Sequence, residues 1–268
     1  MYDSHIHSYN SDGQQTMEEV CLQAIEKSLT GLMFTDHAHL QYFEEYETVK
    51  NIKAAIEEVR TVQEKFAGKL DILCGVELGE QQIEPERAKQ ILSLTDFDGV
   101  LGSIHWVQGN QWGKQYAKII FDETITEEEI DEYMILYYRD LYELAQVGDF
   151  DILAHLTCPL RYINSRYGRG IDAMLHQDEI AEILKVIIRR DIALEVNTPA
   201  VKRYNTIPEI PILEMYRDFG GKLLTMGSDS HRNNNVGANF PETKQILKDL
   251  GFETYYYYRN RTPVGVKL

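Results

Sequence analysis

The chain opens with two histidines one residue apart, in Asp3-Ser4-His5-Ile6-His7. Side chains alternate faces along an extended strand, so His5 and His7 project the same way. Two imidazoles on one face of a strand end make half of a metal site. Asp229-Ser230-His231 repeats the spacing, with a carboxylate in place of one imidazole. Between these segments lie Asp12, Asp36, His37, Glu77, His105, His155 and Glu195. An isolated His-x-His is as readily a solvated strand face as a ligand pair. Here, however, six of the eight histidines recur among carboxylates, and that recurrence points to a multinuclear metal centre. Imidazole and carboxylate donors without a thiolate suit Zn, Mn or Fe.

These residues share a position relative to the chain's apolar runs. Residues 31–35 lead to Asp36-His37, 71–76 to Glu77, 99–104 to His105, 151–154 to His155, 192–194 to Glu195 and 223–228 to Asp229. Between the runs, helical periodicity predicts helices over 17–28, 46–66, 86–94, 126–146, 178–190, 211–219 and 242–250. Thr126 and Glu129 form the capping box of the fourth. An aromatic strand over 254–258 follows the last. This alternation predicts an α/β fold with a parallel sheet and crossover helices, its continuous apolar strands covered on both faces. Seven such strands precede the aromatic one. Ligand-type residues at their carboxyl ends lie where α/β folds place active sites.

Composition narrows the function. The 268 residues carry a formal charge of -16, which disfavours a partner such as long nucleic acid. It leaves small phosphorylated substrates open, because bound cations invert the local field. Cys21, Cys74 and Cys158 are odd in number and widely spaced, as expected for buried thiols in a reducing cytosol. No stretch reaches membrane-span length and the N-terminal residues do not read as a signal peptide, so a cytoplasmic protein is expected.

Taken in order, His5-Ile-His7, Asp36-His37, Gly75-Val-Glu77, Gly102-Ser-Ile-His105, Ala154-His155, Glu195-Val-Asn197 and Gly227-Ser-Asp229-Ser-His231 resemble the motifs of the PHP (polymerase and histidinol phosphatase) family. Length, the Glu195-Val-Asn-Thr segment and the closing Tyr255-Tyr-Tyr-Tyr-Arg-Asn-Arg-Thr-Pro are most similar to its stand-alone histidinol-phosphate phosphatases. The resemblance implies one domain over 1–268, a distorted seven-stranded (β/α) barrel holding two to three divalent ions. It implies that His5, His7, Glu77 and Asp229 hold one ion. Glu77 would bridge to a second, bound also by His105 and His155, while Asp12, His37 and His231 would hold a third. Asp12 has a competing reading as a helix cap. Asp229 and His231 are the candidate catalytic residues.

The implied reaction is hydrolysis of L-histidinol phosphate, in histidine biosynthesis, by a metal-activated water. Another phosphate ester (a nucleotide, a short oligonucleotide or phosphotyrosine) and a non-catalytic metal-binding module are the alternatives. Arg161 and Arg203 are phosphate-binding candidates, because a guanidinium fork matches phosphate oxygens. Lys202 lies beside Arg203, and His39 is a candidate substrate contact or proton donor. Each of these has a competing reading as a solvated loop residue. Asp36, Glu195 and Asn197 are expected to orient ligand histidines from behind or, for the last two, to touch substrate.

Overall fold

The computed structural model describes residues 1–198 and 206–268. Its first half runs β1 (Tyr2–Ile6), α1 (Met17–Glu26), β2 (Gly31–Phe34), β3 (His37–Ala38), α2 (Thr48–Lys65), β4 (Asp71–Gly79), α3 (Pro85–Leu92) and β5 (Gly99–Ser103). Then come α4 (Glu127–Val147), β6 (Ile152–Leu153), a single turn α5 (Cys158–Leu160), α6 (Gln177–Arg189) and β7 (Ala193–Asn197). The chain closes with α7 (Ile210–Asp218), β8 (Leu224–Gly227), α8 (Phe240–Asp249), β9 (Thr254–Arg259) and β10 (Thr262–Lys267). A π-helical turn, Arg161–Arg166, continues α5.

The parallel α/β architecture expected from the sequence is found. β1, β2, β4, β5, β6, β7 and β8 lie side by side and parallel, in that order. β9 runs parallel to β8, and β3 pairs with β4 so that His37 stands opposite Glu77. β1 and β8 also meet at their carboxyl ends. The His7 N–H donates to the Ser230 carbonyl (3.0 Å) and the Asp229 N–H to that of His5 (2.9 Å). The two histidine-bearing termini of the sheet are thereby brought together.

β2, β5, β6 and β8 are largely apolar because both of their faces are covered. Leu32, Ile72, Val100, Leu153 and Leu194 join the large core that also takes Ile56, Leu141 and Ile183 from the helices. Their neighbours in sequence, Met33, Leu73, Leu101, Ile152 and Ala193, form a second cluster with Tyr258. A period of two assigns adjacent residues to opposite layers. Tyr133, Tyr137 and Tyr138 of α4 are buried packing residues.

The structure departs from expectation at element ends. α7 and α8 each start earlier than the apolar pattern suggested, with Pro211 and Pro241 in their first turns. β10 was not expected: its residues are mostly exposed, and it pairs antiparallel with β9 through its backbone. Edge strands need no apolar signature. Among the described residues no helix is long and apolar enough to cross a membrane.

Candidate metal centre

β1, β4 and β8 deliver His5, His7, Glu77 and Asp229 to one buried point. His5 Nε2 lies 3.0 Å from His7 Nε2, 3.3 Å from Glu77 Oε2 and 3.7 Å from Asp229 Oδ1. His7 Nε2 lies 3.5 Å from Glu77 Oε2 and 3.3 Å from Asp229 Oδ1. A four-coordinate ion with bonds of about 2.1 Å has ligand–ligand edges of about 3.4 Å. The donor set and its spacing therefore fit a divalent ion. The other Glu77 oxygen, Oε1, is 2.9 Å from His155 Nε2 and 3.3 Å from His105 Nε2. At the rim, Asp12 Oδ1 is 3.4 Å from His37 Nε2 and 3.1 Å from His231 Nε2. Donor atoms of His7, Asp12, His37 and His231 lie within 4.8 Å of one another, as do those of His5, Glu77 and His155.

Two of these residues sit on unusual backbone. His155 has φ +25° and Asp229 φ +51°, where side-chain-bearing residues are uncommon. Such conformations persist where surrounding contacts over-determine them, commonly at functional sites. Gly227, just before Asp229's turn, has to be glycine: a Cβ there would stand 2.4 Å from Glu195 Oε1 and 2.5 Å from His5 Cβ.

Charge in the cluster is shared between acids and imidazoles. Burial opposes ionisation of Glu77, but the rings of His37, His105 and His5 hold its carboxyl well below the usual range. Burial likewise opposes Asp229, which His5 and Arg161 hold well below its ordinary value. Burial works against charging His5, yet Glu195, Glu77 and Asp229 keep it well above the ordinary histidine value. His37, opposed by burial but facing Glu77 and Asp12, is raised to about 9. His7 is pushed down to about 3 by burial and by His37 and His231. Metal donors have to be deprotonated, so a divalent ion bound here would release protons from the rings that the carboxylates favour in the charged form, His5 and His37.

Most of the residues expected at the site are brought together. Asp12 is not the cap of α1: Thr16 and Glu19 form that capping box, freeing Asp12 to face the two histidines with a side chain 64% exposed. Glu195 stands behind the cluster, with Oε1 2.6 Å from His5 Nδ1 and Oε2 accepting from the His155 backbone N–H at 2.7 Å. Asn197 reaches Glu195 Oε2 (3.3 Å). The expectation that Asp36 orients a histidine is corrected. Its carboxylate accepts from the Ser8 N–H and hydroxyl (both 2.7 Å) and from the Ser11 hydroxyl (2.6 Å), tying down the loop between His7 and Asp12. Lys202 and Arg203 lie outside the described residues.

A cavity of about 80 Å³ opens onto the cluster, walled by His39, Gln115, Tyr116, Arg161 and Tyr162 besides the histidines. A neighbouring cavity of about 270 Å³ shares Asp12, His37, His39 and Gln115 and is completed by Asn10, Tyr46, Asn51 and Lys118. Arg161 enters the first cavity with Nη1 3.1 Å from Asp229 Oδ2. His39 stacks on His37, with ring centroids 4.7 Å apart. Sequence reasoning missed Gln115, Tyr116 and Tyr162, which lie at a short 3-10 turn (Tyr116–Lys118) and in the π-helical turn, segments too short to show a period. It also missed the wholly buried Asp3, whose carboxylate accepts from the Ser228 N–H (2.9 Å) and hydroxyl (2.6 Å) and joins β1 to the turn bearing Asp229.

Comparison with known proteins bears on the family and the fold. The chain is 28% identical over 264 residues to a probable histidinol-phosphatase of Clostridium acetobutylicum, covering 96% of each. It is 28% identical over 270 residues to a probable histidinol-phosphatase of Thermotoga maritima, covering 100% of each. The fold matches a crystal structure of histidinol phosphate phosphatase from Lactococcus lactis, complexed with zinc, L-histidinol and phosphate. That match has a TM-score of 0.81 at 22% identity, over 98% of both chains. The family model of the PHP domain matches residues 3–199, well over half of the sequence, and the chain belongs to the PHP domain family.

Proposed function

We propose that the protein is a metal-dependent phosphomonoesterase that hydrolyses L-histidinol phosphate to L-histidinol and phosphate. The observation that carries this reading is Glu77. One oxygen faces His5 and His7 and the other faces His105 and His155, so a single carboxylate joins two sets of metal-type donors beside a small cavity containing a guanidinium. Full-length relatives carry the histidinol-phosphatase name.

In this reading His5, His7, Glu77 and Asp229 hold one divalent ion, Glu77, His105 and His155 a second, and Asp12, His37 and His231 a third. Zinc, manganese or iron suits these donors. When bound, such ions polarise phosphoryl oxygens and lower the pKa of water. The chain's own residues do the rest. Glu195 fixes His5 with Nδ1 protonated, turning Nε2 toward the cluster. Arg161, held by Asp229, offers its remaining N–H groups to the phosphate and supplies positive charge in an acidic protein. Asp229 and His231 line the smaller cavity, which would admit the phosphate, and His39 lines both cavities, the larger of which would take the leaving group.

The test is phosphate release from L-histidinol phosphate by chelated and metal-reconstituted protein, beside a nucleoside monophosphate and an aryl phosphate. The reading requires metal-dependent turnover with a strong preference for L-histidinol phosphate, lost in His5→Ala. Turnover of the aryl ester without that preference would leave a PHP phosphoesterase with a different natural substrate.

A further inference from the structure

Of the two histidines that meet Glu77 Oε1, neither has a strong partner on its far ring nitrogen. His155 Nδ1 is buried without a hydrogen bond among the described residues, and His105 Nδ1 has only the Ser103 hydroxyl at 3.4 Å. A ligand imidazole is ordinarily aimed by a hydrogen bond to that second nitrogen. His5 shows the usual arrangement, with Glu195 on its Nδ1. For His155 and His105 the aim has to come from the main chain. His155 is held by its backbone N–H, which donates to Glu195 Oε2 at 2.7 Å.

We infer that Glu80 is the corresponding positioning residue for His105. Glu80 is fully buried and follows β4 directly, three residues after Glu77. Its Oε1 accepts from two consecutive amides, the His105 N–H at 2.7 Å and the Trp106 N–H at 2.9 Å. Its own N–H donates to the Ser103 carbonyl at 3.1 Å, so both sides of the turn leaving β5 are tied to the end of β4. Oε2 is buried with no hydrogen-bond partner among the described residues, an arrangement that costs stability. Glu80 lines neither cavity beside the cluster, so its effect passes through the direction of the His105 ring. The two anchors are built alike: a buried carboxylate, Glu195 within the neighbouring strand β7 and Glu80 directly after the neighbouring strand β4, fixes the backbone at which a histidine turns toward Glu77.

The inference rests on His105 being a ligand, so the experiment includes His105→Ala. Glu80→Ala, Glu80→Asp, Glu80→Gln and His105→Ala proteins are freed of metal, and cobalt(II) is titrated into each while its visible absorption is recorded. Glutamine keeps an oxygen acceptor for both amides; aspartate is one methylene too short to reach them, and it keeps the test alive if the alanine variant does not fold. The expected result is a tenfold to hundredfold loss of affinity for one cobalt equivalent, about the effect of removing an orienting partner. An altered cobalt spectrum should accompany it in Glu80→Ala and Glu80→Asp, with both restored in Glu80→Gln. Wild-type affinity and spectrum in a folded Glu80→Ala or Glu80→Asp protein, while His105→Ala loses an equivalent, would overturn the inference and leave Glu80 a structural anchor. If His105→Ala also binds as wild type does, the ligand assignment of His105 fails, and the positioning role with it.

Discussion

Replacing Glu195 with glutamine removes one charge from behind the cluster and tests how the site is held. The carboxylate is 1% exposed and accepts on both sides, from His5 Nδ1 at 2.6 Å and from the His155 backbone N–H at 2.7 Å. Glutamine has one acceptor oxygen and one NH2 where the site presents three donors, the Asn197 amide at 3.3 Å being the third. Whichever way its amide turns, an NH2 group faces either the imidazole N–H or the backbone N–H. One charge-assisted hydrogen bond becomes neutral and the other is lost. Losing the orienting partner of a ligand histidine typically lowers metal affinity 10–100-fold, which corresponds to about 1.4–2.8 kcal/mol. The assay is zinc competition against a chromophoric chelator on metal-free protein, with far-UV circular dichroism and thermal unfolding to establish that the variant folds. A folded Glu195→Gln protein with wild-type zinc affinity would refute the reasoning. A loss equal to that in His5→Ala would also count against it, because an orienting residue should cost less than the ligand it orients.

Gly227→Ala places a Cβ on Glu195 Oε1 and His5 Cβ at 2.4 and 2.5 Å; overpacking of this kind costs about 1–3 kcal/mol. Chemical denaturation should show that loss together with weakened zinc binding, and an unchanged midpoint would mean the backbone yields there freely. Arg161→Met should raise both KM for the phosphate ester and the inhibition constant of inorganic phosphate by about tenfold to a hundredfold, the range for hydrogen bonds to charged groups, with kcat changed less. Unaltered phosphate inhibition would remove Arg161 from the phosphate site. Burial pushes the thiols of Cys21 and Cys74 up to about 12 and that of Cys158 to about 11, from an ordinary 9.0. Cys21 and Cys158, which are buried, should therefore react with an aromatic disulfide reagent at pH 8 only as fast as the protein unfolds, while Cys74 is partly exposed. Between about pH 9 and 12 the folded chain keeps thiol protons that the unfolded chain releases, so stability falls as pH rises through that window. Rapid labelling of Cys21 or Cys158 in native protein, or stability flat across that window, would contradict the burial.

How much of this was legible in the sequence depended on how local each feature is. A spacing of two in an extended chain puts His5 with His7 whatever surrounds them, whereas Asp229 and His231 are brought together by the turn after β8, in which Asp229 has φ +51°. Apolar runs ending in acids or histidines placed the candidate ligands at strand ends before any coordinates were known, since a strand covered on both faces has few polar positions except at its termini. Partnership was another matter. That His37 stands opposite Glu77 follows from the register of β3 on β4. Asp36 turned out to bind Ser8 and Ser11 because the loop after β1 folds back over it. Glu80, Asp3 and Tyr116 carried no readable role, because each acts on a residue from another strand or loop. The chain's residue types and their periods thus determined which side chains could do the chemistry. Only the packing of strands distant in sequence decided which carboxylate meets which imidazole, because hydrogen-bond partners are set by distances of about 3 Å that no local period encodes.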